Sequence, residues 1–192
     1  MTVVKGSQSV FLPAPEGSFQ AVCVDEILMM DQQTQWGPKD KLRIVWQIDA
    51  TATEDEFFEH FGRQPTKEEA ERIIGKRYNV SQFFTASLGT QSKPSNLRKL
   101  LQSWRGSKVT PDEDANGFDF EKMIGANCML QIIRSDPVGD KVYANISGIM
   151  PIQKNQPRMF PEDYIRQKDR EQKQAKPQQA APSDDPDSDI PF

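Results

Sequence analysis

Histidine and cysteine are scarce in this chain, and the scarcity excludes a good deal. Among 192 residues there is one histidine, His60, and there are two cysteines, Cys23 and Cys128. A structural zinc site takes four such ligands, so none is expected. Two cysteines do not make a disulfide framework, and both lie in apolar, strand-like runs where they read as buried thiols. No apolar stretch approaches the roughly 20 residues a membrane helix needs. Residues 1–20 have no cationic start followed by an apolar core, so no secretory leader is expected and the expected compartment is the cytoplasm. The chain also lacks a glycine-rich phosphate loop with its lysine and hydroxyl, and it lacks a nucleophile elbow. The acids Glu54, Asp55, Glu56 and Glu59 invite a metal-nuclease reading. Near-consecutive residues diverge in direction, however, and no matching lysine motif accompanies them. No enzyme, cofactor or metal is expected.

What is present is a β-rich pattern. The length allows one domain with appendages. Residues 41–49, KLRIVWQID, place Leu42, Ile44, Trp46 and Ile48 on one face by the period of two. Lys41, Arg43, Gln47 and Asp49 fall on the other face, with Val45 among them. Further strands are expected at 19–28, 76–86, 127–134 and 142–150. Thr66 and Glu69 form a capping box ahead of a helix. Ser95 is an N-cap for NLRKLLQSWRG, where Leu97, Leu100, Leu101 and Trp104 repeat at helical spacing and Gly106 marks the stop. Thr110, Pro111 and Glu113 make a third start. Five strands, with a helix between the third and fourth, fit a mainly β fold of OB type, a five-stranded barrel over residues 1–165. Residues 51–75 read as an insertion in which seven acids face three bases. Residues 166–183 read as a flexible linker, too polar to repay its ordering entropy, and 184–192 as a disordered acidic tip.

Charge is distributed unevenly. The chain carries 24 Lys+Arg against 28 Asp+Glu, a net charge of -4. Yet from Ile73 to Pro111 there is no acid, and Lys76, Arg77, Lys93, Arg98, Lys99, Arg105 and Lys108 all fall there. Tyr78, Phe83, Phe84 and Trp104 interleave with them. Cations attract phosphates and rings stack on bases, so the segment reads as a path for single-stranded nucleic acid. Phe83 and Phe84 point to opposite faces, one to the core and one outward, and the period does not say which. Phe84, on the face of Tyr78, is carried as the stacking candidate. Trp104 follows the apolar repeat and reads as core. Trp36, in a polar turn, is a further stacking candidate. Arg134, Lys141 and Tyr143 extend the path across a second hairpin.

The chain closes in DDPDSDIPF. Asp184, Asp185, Asp187 and Asp189 supply attraction at a distance. Ile190 and Pro191 lead to Phe192, whose ring suits an apolar pocket with a cation at its rim. The tip resembles that of bacterial single-stranded DNA-binding proteins. SNLRKLLQSWRGSKVTPDEDANGFDFEKMIGANCMLQI (95–132) and VYANISGIMPI (142–152) resemble a phage-type family of replication-associated single-stranded DNA-binding proteins. The resemblance implies one OB-fold domain that coats single strands in replication, recombination and repair. It also implies a tip that recruits a helicase, primase, polymerase or nuclease, in the bacterial host cytoplasm if the chain is phage-encoded. Two other readings stay open: an interaction module that captures a host replication factor through the tail, and RNA binding. Self-association is not decided by the sequence.

Overall fold

The structure, a computed structural model, describes residues 10–35, 37–137 and 142–175. Five strands form one antiparallel sheet: β1 (Gly17–Thr34), β2 (Gly37–Thr51), β3 (Arg77–Thr85), β4 (Asn127–Arg134) and β5 (Ala144–Met150). Their order is β3-β2-β1-β4-β5. The alternation in 41–49 does what its period requires. Leu42, Ile44, Trp46 and Ile48 are all buried on the inner face. β1 is longer than its apolar pattern suggests, because its polar second half pairs with the start of β2 from Met29↔Lys41 to Thr34↔Gly37.

The helices begin where their caps stand. Thr53 and Glu56 form a capping box for α1 (Glu54–Phe61), and Thr66 and Glu69 form another for α2 (Lys67–Ile73). Ser95 caps α3 (Asn96–Arg105), which ends at Gly106 with φ 67, a left-handed turn that glycine adopts without strain. α4 (Pro111–Asn116) follows, capped by Thr110. A short 3-10 turn spans Phe120–Met123, and α5 covers Gln167–Ala175. Between β3 and α3, a β-carbon on Gly89 would collide with the Lys93 carbonyl, so the turn there requires glycine.

The expected barrel is corrected. The hydrogen-bonded order starts at β3 and ends at β5, and no ladder joins these two edges among the described residues. Cα atoms of β3 and β5 do come within 8 Å, and α3 packs against both strands. The two edges thus approach one another beside α3 without backbone pairing among the described residues. The five strands and the helix between β3 and β4 stand as expected, but the sheet is open and is not a closed OB barrel. The resemblance to the phage-type family implied that barrel and is corrected along with it.

Two apolar layers hold the sheet. On the inner face Trp46 meets Trp104 of α3 at 5.5 Å between ring centroids, with Leu97, Leu101, Leu130 and Ile132 around them. On the outer face Val22, Val24 and Val45 lie under Met159, flanked by Ile27 and Tyr164. This second layer explains Val45, the apolar exception on the polar face of β2. Its cover is a strap, residues 151–166, that crosses the outer face after β5. The strap is tied down by side chains that reach its backbone. Asn127 Nδ2 donates to the Met159 carbonyl at 2.9 Å, and Gln47 Nε2 donates to the Glu162 carbonyl at 2.8 Å. Asp25, 1% exposed, accepts from the Tyr164 hydroxyl at 3.1 Å, from Arg166 Nε at 3.2 Å and from the Gln167 amide at 2.8 Å. Arg166 and Gln167, at the start of the expected linker, are thus anchored to the sheet. No helix among the described residues is long and apolar enough to cross a membrane.

Candidate nucleic-acid interface

The structure divides the basic segment rather than gathering it. Arg98 is buried, donating from Nε to the Leu88 carbonyl at 2.9 Å and pairing with Asp114 of α4. Arg105 pairs with Glu113 at 2.5 Å, and its guanidinium also lies over Phe118. The Arg105 guanidinium, helped by the Thr110 amide, holds the Glu113 carboxyl at about 2. Arg77 pairs with Glu162 of the strap at 2.7 Å. These three arginines are occupied by protein partners. For Arg98 the expected phosphate contact is corrected, because a buried and paired guanidinium does not meet solvent phosphate. Lys93, Lys99 and Lys108 are exposed but belong to the α3 side of the molecule.

The stacking candidates are corrected likewise. Tyr78 is 7% exposed and Phe84 is 6% exposed, both in the inner core. The Tyr78 hydroxyl donates to Glu56 Oε2 at 3.0 Å, and burial pushes its pKa upward. Glu56, considered above as a metal ligand, is spent on that bond and on capping α1. Trp104 is core as expected, and its Nε1 donates to the Asn127 carbonyl at 3.1 Å. Arg134 donates from Nε to the Ala14 carbonyl at 3.2 Å. Tyr143 is half exposed just before β5. Both belong to the β4–β5 hairpin, on the other side of β1 from β2 and β3. Trp36, Lys141 and the tip residues Asp184, Asp185, Asp187, Asp189, Ile190, Pro191 and Phe192 lie outside the described residues.

The open face lies elsewhere, on β2 and β3 beyond the end of the strap. Phe83 is 54% exposed and opposite Arg43 in the ladder. The Arg43 guanidinium lies over that ring at 5.6 Å from its centroid, and its Nε donates to Ser81 Oγ at 3.2 Å. The hydroxyl fixes the plane of the guanidinium and the ring supports it. Lys41 is the next outward residue on β2, paired with Thr85 and Met29, and exposed Lys39 follows toward the β1–β2 turn. The result is a cationic strip with a ring beside its Arg43 end. Flat surfaces of this kind accept bases, and the ammonium groups accept phosphates.

Sequence reasoning left Phe83 undecided against Phe84, carried Phe84 instead, and passed over Arg43, Lys41 and Lys39. Alternation already put Lys41 and Arg43 on the polar face of β2. They lie outside the acid-free segment 73–111, and its charge drew attention away from them. No protein-family model matches this chain, and no curated protein matches it.

Proposed function

We propose that this protein binds single-stranded DNA on the outer face of β2 and β3, as a stoichiometric coat and not as an enzyme. The observation that carries the reading is the exposed Phe83 ring bearing the Arg43 guanidinium, with Lys41 and Lys39 in line. The ring and guanidinium stack bases without regard to sequence. The cations neutralise phosphates, and a strand held this way is kept from re-pairing. The acidic segment 184–192 is a separate part. Its four aspartates compete with phosphates for the same cations, and the segment is a handle for replication or recombination proteins.

The test is fluorescence anisotropy of labelled oligothymidine over a range of salt, with duplex DNA and oligouridine as comparisons. Three phosphate contacts from Lys39, Lys41 and Arg43 give a slope of log K against log salt of about -2, at roughly 0.7 per contact. Truncation after Ser183 keeps or raises the affinity. A flat salt response, or equal affinity for duplex, rejects the reading. Tighter binding to oligouridine moves it to RNA.

A further inference from the structure

The strip formed by Lys39, Lys41, Arg43 and Phe83 has a continuation that the strap conceals. Along β3 the odd-numbered residues Arg77, Asn79, Ser81 and Phe83 share the outer face by the period of two. At about 3.3 Å per residue, Arg77 lies roughly 20 Å from Phe83 on one line. A phosphate backbone lying across Phe83 and running along β3 would arrive at Arg77 and the adjoining Lys76. Those positions already hold carboxylates. Glu162 Oε1 is 2.7 Å from Arg77 Nη2, and Asp163 Oδ2 is 2.7 Å from Lys76 Nζ. Arg77 Nη1 also donates to the Phe160 carbonyl at 3.0 Å.

We propose that Arg77 and Lys76 form a second phosphate subsite of the nucleic-acid face, and that Glu162 and Asp163 of the strap occupy it in place of phosphate. The proposal rests on the reading of the β2–β3 face given above. Three features argue that the carboxylates are displaceable occupants and not the fastening of the strap. First, the fastening is made by other atoms. Gln47 holds the Glu162 backbone at both its amide and its carbonyl, Asn127 holds Met159, and Asp25 holds Tyr164, Arg166 and Gln167. None of these bonds uses the side chain of Glu162 or Asp163. Second, the acids face water. The Glu162 and Asp163 side chains are 61% and 72% exposed; Lys76 is 50% exposed, and Arg77, at 17%, is the more enclosed partner. Carboxylates so exposed add little to stability through their pairs and exchange readily for another anion. Third, Asp163 sits at φ 51, a conformation uncommon for a residue with a β-carbon. That turn delivers two acids in succession to two successive bases. The carboxylates can swing away while the strap backbone stays in place, which opens the subsite without unfolding anything.

The experiment compares the salt dependence of oligothymidine binding for full-length wild type, for the Glu162→Gln/Asp163→Asn variant, and for Glu68→Gln/Glu71→Gln. The last removes the same charge from the exposed face of α2 and controls for net charge. The strap variant is expected to tighten binding and to steepen the slope by about 1.4 beyond that control, for two contacts at roughly 0.7 each. Adding Lys76→Gln and Arg77→Gln to it returns the slope to the wild-type value. Arg77→Gln alone leaves the slope of the wild type unchanged, because phosphate arriving there replaces a carboxylate of the chain itself and releases no salt ion. A strap variant indistinguishable from the charge control overturns the proposal, and so does a fall in slope for Arg77→Gln alone. If wild type binds and loses affinity with Phe83→Ala, yet ignores the strap variant, only the subsite fails. If no form binds, the reading of the whole face fails with it.

Discussion

Arg98 and Asp114 form an ion pair that joins α3 to α4, with the Arg98 side chain 3% exposed. The guanidinium also serves the carbonyls of Leu88 and Gly89, at 2.9 and 3.4 Å. One side chain thereby fixes the turn before α3 and the helix after it. Replacing Arg98 with Ala removes a charged donor from two carbonyls and a carboxylate, at a cost of about 2–3 kcal/mol. The expected outcome is a lower urea midpoint with an unchanged dependence on salt in DNA binding. A reduced salt slope would place Arg98 on the DNA after all.

Phe83 and Phe84 give opposite results in the same two assays. Phe83→Ala removes an exposed ring and weakens oligothymidine binding about tenfold, the equivalent of about 1.4 kcal/mol of stacking, with little change in stability. Phe84→Ala opens the inner core and lowers stability by about 3 kcal/mol. Its affinity, measured well below the new unfolding temperature, stays near that of wild type.

Acid unfolding follows from three carboxylates held below their ordinary value of 4.5. The Arg63 guanidinium, helped by the Thr66 amide, holds Glu69 at about 2. Arg105 holds Glu113 at about 2. Arg166 and then Lys168 hold Glu121 at about 2. Each binds protons more weakly in the folded state than in the unfolded state. Each therefore contributes stability that is complete above about 4.5 and is lost as pH falls toward 2. Glu26 acts in the opposite sense. Burial first, and then the charge of Glu121, raise its carboxyl, so its ionisation subtracts stability as pH rises. The urea midpoint of Glu113→Gln should fall less steeply than that of wild type between pH 4.5 and 2. Glu26→Gln should gain on wild type as pH rises from acid to neutral. Parallel curves would remove these groups from the account.

Asp25 is the anchor of the strap. Asp25→Ala removes the acceptor for Tyr164, Arg166 and Gln167 together, at about 2–3 kcal/mol, while Arg166 keeps its pair with Glu121. Limited trypsin digestion should then cut first at Arg158 and Arg166, while the sheet survives. Simultaneous loss of sheet and strap would show that the two do not separate.

Much of this architecture was legible because it depends on neighbours in the chain. The Thr66–Glu69 box, the Ser95 cap and the period-two run through Trp46 each carry their own instruction within a few residues. The outer layer was not legible. Val45 looked like an irregularity until Met159, more than a hundred residues later, was found above it. The site was misread for a related reason. Charge density along 73–111 counted Arg98 and Arg105 as available, although the acids that take them, Asp114 and Glu113, stand just past the end of the window. Choosing between Phe83 and Phe84 required knowing which face α3 covers, which is a property of the packed sheet. The barrel failed because closure depends on whether two edges pair, and strand count does not determine that.

The strap also sets an order of assembly. β1 is made early and receives its outer cover late. Gln20 donates to the carbonyl of Pro157, and Asp25 waits for Gln167, separations of 137 and 142 residues. During synthesis the β1–β2 hairpin therefore presents Val22, Val24 and Val45 on one side, with a carboxylate beside them, until nearly all of the described chain has emerged. Contacts this distant in sequence slow folding and leave apolar surface exposed in the interval. The last described segment completes the fold, and a chain interrupted near Met150 would carry all five strands and still lack one side of its core.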